Sequence, residues 1–217
     1  MSIKTEICGI QFDSCIMNAS GCHCVTEKEL NELMESKSGA VVSKSGTIEV
    51  RNGNPEPRLH IDKIGSINSM GLPNLSFEFY SQYGNNVSDI NIKPFIQSIH
   101  PFSVDELDIM LNSIDKINKK RLIELNVTCP NIMSTNANAS ASFESFEKYM
   151  DKIKQSKLNN AIVGMKLSPI YELNHFDIMS RLLLKYDIKF VTCINSLING
   201  LIVDPYSETT RIYQKMD

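Results

Sequence analysis

Residues 122–131 read Leu122-Ile123-Glu124-Leu125-Asn126-Val127-Thr128-Cys129-Pro130-Asn131. A short aliphatic run, Leu122 to Val127, gives way to polar residues at its C-terminal end. Such a run, bounded by turn residues, predicts a strand buried on both faces. Working outward, the same pattern recurs five more times, at Cys15–Asn18, Ala40–Ser43, Pro94–Ile99, Ala161–Lys166 and Phe190–Ile194. Longer stretches with helical spacing separate most of these runs, so the chain alternates strand and helix. Alternation of this kind predicts parallel strands joined by helical crossovers, an α/β fold.

Four helices are expected. The first begins near Thr26, whose hydroxyl can cap it, with Leu30, Leu33 and Met34 on its apolar face. The second begins near Ser103 and carries Leu107, Met110, Leu111 and Ile114 at helical spacing. Phe143–Ile153 and Phe176–Leu184 supply the others. Between Thr47 and Tyr80 lies a Gly- and Pro-punctuated stretch with little periodicity, and loops of that length usually carry function. Ser134–Ser142 is low in complexity and is expected to be mobile.

The 217 residues, 42% hydrophobic, suffice for one sizeable core, so residues 1–217 are read as a single domain. Twenty-two basic and 25 acidic side chains nearly cancel. No block of Lys or Arg offers the field that nucleic acid or an anionic membrane would require, and neither is expected as a partner. The N-terminal segment is not expected to be a leader, and no apolar run is long enough to span a bilayer. Six cysteines without a CxxC pair suit a reducing cytoplasm. His23, His60, His100 and His175 are dispersed, and Cys22-His23-Cys24 lacks a second cluster, so no metal site is expected.

The functional signal is positional. Ser20 and Gly21 follow the first expected strand, Lys44 and Ser45 the second, Asn126 and Cys129 the fourth, Lys166 the fifth, and Asn195 and Ser196 the sixth. In parallel α/β folds, and above all in (β/α)8 TIM barrels, that rim is where active sites are built.

Several segments in fixed order carry a resemblance. They are Met17-Asn18-Ala19-Ser20-Gly21, Ser43-Lys44-Ser45, Gly53-Asn54-Pro55-Glu56-Pro57-Arg58, Ser66-Ile67-Asn68-Ser69-Met70-Gly71-Leu72-Pro73-Asn74, Glu124 to Asn131, Gly164-Met165-Lys166-Leu167 and Asn195-Ser196. Together they resemble the soluble, fumarate-linked (class 1A) dihydroorotate dehydrogenases, and the 67–74 run is the most distinctive. A cysteine at 129, where membrane-associated relatives carry serine, points to the same group. The NAD-linked relatives, which work with an iron–sulfur subunit, are less similar over 66–74. A dihydropyrimidine dehydrogenase-like domain would bring iron–sulfur clusters, and the cysteine spacing here suits none.

The resemblance implies an FMN enzyme that oxidises dihydroorotate to orotate in pyrimidine biosynthesis, with fumarate as electron acceptor, working as a cytoplasmic homodimer. It implies Cys129 as the base taking the C5 proton while hydride leaves C6 for flavin N5. A lone buried cysteine is more often inert packing, and it is the surrounding motif that reverses this reading. Lys44 and Lys166 would stabilise charge building on the flavin, against the plainer reading of lysines snorkelling from strand ends. Ala19, Ser20, Gly21, Lys44, Ser45, Asn126, Lys166 and Ser196 would line the cofactor. Lys44, Asn68, Met70, Gly71, Leu72, Asn126, Asn131, Asn195 and Ser196 would line the substrate, because amides offer donor and acceptor without charge.

The resemblance also implies that the barrel is incomplete. A (β/α)8 barrel takes about 250 residues, whereas Asp217 falls soon after the sixth expected strand, so about six of eight βα units are expected and the glycine-rich phosphate-binding turns are not. Such a sheet is expected to have two open apolar edges. A non-catalytic homologue that cannot retain FMN is the alternative reading. Two further departures are Ile132-Met133-Ser134-Thr135-Asn136 after Asn131, and His100-Pro101-Phe102, where family members usually carry a glycine.

Overall fold

Thr26 starts the first helix as its hydroxyl predicts. Its Oγ1 accepts from Glu29 N at 3.3 Å, while Glu29 Oε2 accepts from Thr26 N at 2.8 Å, a reciprocal cap that satisfies two otherwise orphaned donors. The computed structural model describes residues 3–63, 65–90, 93–117, 119–127, 139–198 and 200–212. In chain order these form β1 (Thr5–Ile7), β2 (Ile10–Phe12), α1 (Glu27–Glu35), β3 (Val41–Val42), β4 (Leu59–Ile61), β5 (Ser66–Asn68), α2 (Phe77–Ile90), β6 (Phe95–Ile99) and α3 (Val104–Asp115). There follow β7 (Arg121–Asn126), α4 (Ala139–Gln155), β8 (Ala161–Leu167), α5 (Leu173–Lys185), β9 (Val191–Cys193), β10 (Val203–Asp204) and β11 (Thr209–Thr210).

Five strands make one parallel sheet in the order β3-β6-β7-β8-β9, curled as part of an incomplete (β/α)8 barrel, with α2 to α5 as the crossovers and α1 leading into β3. Alternation along each strand sorts its side chains. Ile123 and Leu125 of β7, with Val163 and Met165 of β8, face the helices and pack on Leu107, Met110, Leu111 and Ile114 of α3 and on Phe146 and Met150 of α4. Leu122, Val42 and Ile96 face the concave side, where Phe12 of the β1–β2 hairpin packs among them with Ala40. The concave side is therefore apolar at the N-terminal ends of the strands. No helix among the described residues is long and apolar enough to cross a membrane.

Three expectations need correction. Cys15–Asn18 is no strand of this sheet. The Asn18 amide instead imitates a partner backbone: Nδ2 donates to Val42 O at 2.7 Å and Oδ1 accepts from Val42 N at 2.9 Å, while Gly39 N donates to Ile16 O. This segment covers the β3 edge of the sheet, and among the described residues it is the β9 edge that exposes apolar side chains, among them Val191, Ile194 and, beyond them, Leu197. The stretch to Tyr80 is not one long loop, because it holds the β4–β5 hairpin and the start of α2. Its buried positions Phe77, Tyr80, Ser81, Gly84 and Val87 have helical spacing, but polar Asn85 and Asn86 and a glycine obscured the pattern. Finally, α4 already begins at Ala139, so the last residues of the low-complexity segment are helical; 134–138 lie outside the described residues.

Asn74, the last residue of the 67–74 run, joins this loop region to the sheet. It is 1% exposed. Its Oδ1 accepts from the backbone N–H groups of Thr47 (3.1 Å) and Ser76 (3.0 Å), and its Nδ2 donates to Thr47 Oγ1 and Leu72 O, both at 3.0 Å. Phe77 N donates to Thr47 O, so the same joint starts α2. Asn74→Ala strands several buried polar groups at once, each costing about 1–3 kcal/mol. We expect a loss of at least about 2 kcal/mol in a urea unfolding midpoint measurement; a change within about 0.5 kcal/mol would show that water replaces the amide.

Candidate active site

Above the apolar floor the concave face turns polar, and the register explains which side chains gather there. In β7 the inward positions after Leu122 are Glu124 and Asn126, paired with Gly164 and Lys166 of β8 and, for Glu124, with Ser98 of β6. Gly164 is required here, since a Cβ would lie 2.4 Å from the Phe190 ring. On the other side the chain after β3 contains one extra residue. Val41 pairs with Phe95 and Val42 with Ile96, but Gly46 pairs with Ile99, so three steps on one strand match two on its neighbour between Ser43 N→Ile96 O and Gly46 N→Ser98 O. This is a bulge. It breaks strict alternation at Lys44 and Ser45, allowing both neighbours to serve the concave face.

Ser45 is the hub. Its Oγ lies 2.9 Å from Ser98 Oγ and 3.1 Å from Ser20 Oγ, and it accepts from Asn126 Nδ2 at 3.0 Å. Ser98 Oγ donates to Glu124 Oε1 at 2.9 Å, and Asn195 Nδ2 donates to Asn126 Oδ1 at 3.3 Å. The carboxylate orders the protons. Because Ser98 spends its hydrogen on Glu124, Ser45 must donate to Ser98, and Ser20 must donate to Ser45. One polarised chain therefore links residues following or ending β3, β6, β7 and β9.

Two cations sit beside it. Lys44 and Lys166 are only 8% and 7% exposed, and neither ammonium has a hydrogen-bond or ion-pair partner among the described residues. Burial is the main influence holding the Lys44 pKa below its ordinary 10.5, and Lys166 lowers it further, while Cys24, Cys22 and Glu124 act in the opposite sense. The Cys24 thiol is pushed up to about 11, chiefly by burial, and donates to the Ala19 and Gly21 carbonyls. Cys24 is thus packing, and the carbonyls it holds shape the 19–21 turn.

Of the residues expected at the site, Ser20, Lys44, Ser45, Asn126, Lys166 and Asn195 are brought together. Ala19 and Gly21 flank Ser20, with Gly21 N donating to Ala19 O at 2.7 Å. Ser196 is exposed, and its N–H caps Asn195 Oδ1. The carbonyls of Met70–Leu72 are engaged by the protein itself: Asn54 N donates to Met70 O at 2.9 Å, Arg51 donates to Gly71 O, and Asn74 donates to Leu72 O. Gly53, at φ 78°, lets Met70 O approach, since a Cβ would lie 2.4 Å from it. Asn68 is exposed at the end of β5. Cys129 and Asn131 lie outside the described residues.

Three contributors escaped the sequence reading. Ser98 and Glu124 are polar residues inside otherwise apolar strands, a signal available in the sequence. His100, 8% exposed, sets Nδ1 at 2.7 Å from the Asn126 carbonyl oxygen. A carbonyl only accepts, so Nδ1 carries the proton.

A rim with two buried ammoniums and donor-bearing amides suits a flat, polar, electron-accepting ring that gains negative charge. The Lys44 assignment has a thermodynamic signature. The unfolded chain keeps the lysine proton up to pH 10.5, whereas the folded chain releases it earlier, so the wild type gains stability over Lys44→Met as pH rises towards 10.5. Parallel stability–pH curves for the two proteins would place the ammonium in solvent.

Comparison with known proteins shows the family. The family model for dihydroorotate dehydrogenase matches residues 2–215. The dihydroorotate dehydrogenase (fumarate) of Trypanosoma brucei brucei is 38% identical over 99% of this chain and 69% of its own length. That of Trypanosoma cruzi is 38% identical over 99% and 68%. A Streptococcus agalactiae relative named putative dihydroorotate dehydrogenase A (fumarate) is 38% identical over 94% and 65%. The chain thus spans about two thirds of the length of the curated relatives it matches.

Proposed function

The chain belongs to the dihydroorotate dehydrogenase family, and on that premise we propose that it carries the ring-facing part of an FMN site at which dihydroorotate is oxidised to orotate in pyrimidine biosynthesis. The observation that carries the reading is the convergence of Lys44, Lys166, Asn126 and Asn195 on one rim around the Ser45 hub. Fumarate is the proposed electron acceptor, after the names of the relatives, and a cytoplasmic homodimer is the proposed form.

FMN, when bound, supplies the acceptor for the hydride that leaves C6. The protein's own part is threefold. Lys44 and Lys166 place positive charge where the ring becomes more negative, and a dry setting makes that charge count for more than it would in water. The amides of Asn126 and Asn195, with Asn68 and Asn131, hold the pyrimidine and its carboxylate without adding charge, and the backbone of Met70, Gly71 and Leu72 lines the same pocket. Cys129 takes the C5 proton as a thiolate. Ala19, Ser20, Gly21, Ser45 and Ser196 lie along the flavin, where small side chains permit close approach.

In this reading residues 1–217 form a single domain that supplies the ring-facing residues and not the phosphate grip. The expected result is weak FMN retention by the purified 217-residue chain. A flavin absorption band at one equivalent per chain would overturn that expectation and favour full catalysis, whereas failure to bind added FMN at all would favour a non-catalytic homologue. With FMN supplied, Cys129→Ser should lower turnover and move the pH–rate profile upward, because an alcohol is a far weaker acid than a thiol. A profile that stays in place removes Cys129 from the base role.

A further inference from the structure

His100 stands where the proposed site is mechanically most exposed to error. The β6–β7 ladder ends at Ile99 paired with Leu125, so the Asn126 carbonyl lies one residue past the last paired position. The imidazole supplies the missing donor at 2.7 Å. The same residue's backbone N donates to Gly46 O at 2.8 Å, immediately after the bulge that presents Lys44 and Ser45. His100 therefore ties together the two strand ends whose side chains, Ser45 and Asn126, form the hub.

The ring is itself held. It meets Phe102 edge-on at 4.9 Å between centroids, and the Arg51 guanidinium lies over Phe102 at 5.3 Å. The charged groups acting on the imidazole are Lys44 from the bulge, Arg51 from the following loop and Glu106 from α3. Burial and the two cations favour the neutral ring, so the hydrogen on Nδ1 is committed to Asn126 and Nε2 is left as an acceptor.

We propose that His100 is a positioning residue for the substrate-binding amide: by fixing the Asn126 carbonyl it orients the Asn126 side chain between Ser45 and Asn195, and so sets affinity for the pyrimidine ligand. The inference rests on the functional reading above, and the tests separate the two. Asparagine at 100 can place Nδ2 where Nδ1 stands, whereas leucine fills similar space with no donor.

The experiment uses the full chain with added FMN, measures orotate affinity by calorimetry, and records long-range 1H–15N spectra of the imidazole and of the Asn126 side-chain amide. The expected results are an Nδ1–H neutral tautomer in the wild type, orotate binding weakened about tenfold in His100→Leu, and near-wild-type binding in His100→Asn. An Nε2–H tautomer, unchanged binding in His100→Leu, or equal loss in both variants overturns the proposal. If the wild type binds no orotate, the functional reading falls, and the amide spectrum decides this one. Asn126 signals that move in His100→Leu and are retained in His100→Asn support it; signals unmoved in His100→Leu overturn it. The wild-type tautomer stands as a test even if the leucine variant does not fold.

Discussion

The hydroxyl of Ser45 is the point on which the site depends. It accepts from Asn126, faces Ser98 and Ser20, and sits where a one-residue bulge lets two consecutive side chains turn towards the concave face. Without the extra residue, strict alternation would send either Lys44 or Ser45 into the helix layer, where the apolar neighbours Leu30, Val41 and Tyr80 could satisfy neither. The bulge is thus a packing irregularity with a chemical consequence: charge and hydrogen-bond donor arrive on the same rim.

Burying two ammoniums is costly unless something compensates. Part of the compensation is Glu124, which is itself held by Ser98 and acts on Lys44 through space. The carboxylate also polarises the serine chain, so every hydrogen from Ser20 to Ser98 is directed inward. Asn126 keeps its amide donor on Ser45 and its carbonyl on His100, which leaves its geometry set from three directions. Such sites bind a ligand with little reorganisation, and that is how binding energy is conserved for the reacting groups.

The remainder of the fold serves this arrangement unevenly. One sheet edge is covered by Asn18, whose amide stands in for a neighbouring strand, and the loop bearing the 67–74 motif is fastened to the sheet by Asn74. These two asparagines belong to segments that resemble family signatures, yet their hydrogen bonds are directed to the protein itself, mostly to its backbone. Motif membership alone does not separate a ligand-binding amide from a structural one. Around β9 the protection is thinner, and α5 contributes no fully buried side chain.

Much of this was legible from residues alone. The parallel α/β class followed from alternating apolar runs and helical spacing, and Thr26 and Ser103 announced their helices because capping is a local matter. The rim position of Lys44, Asn126 and Lys166 also followed, since the end of a strand can be read from where an apolar run stops. Other features required the third dimension. Cys15–Asn18 looks like a strand in composition, and only its neighbours determine that a side chain, not a ladder, makes the bond to Val42. The bulge at Lys44–Ser45 is a difference in register between two strands more than 50 residues apart, and the role of His100 depends on a carbonyl 26 residues away. Local propensity and periodicity are properties of neighbouring residues, so the sequence by itself determined the five strands of the sheet, the helices α1 and α3 to α5, and the rim, but not α2 or the hairpins. Register and long-range hydrogen bonds are settled only when strands pack, and that packing decided which polar side chains meet.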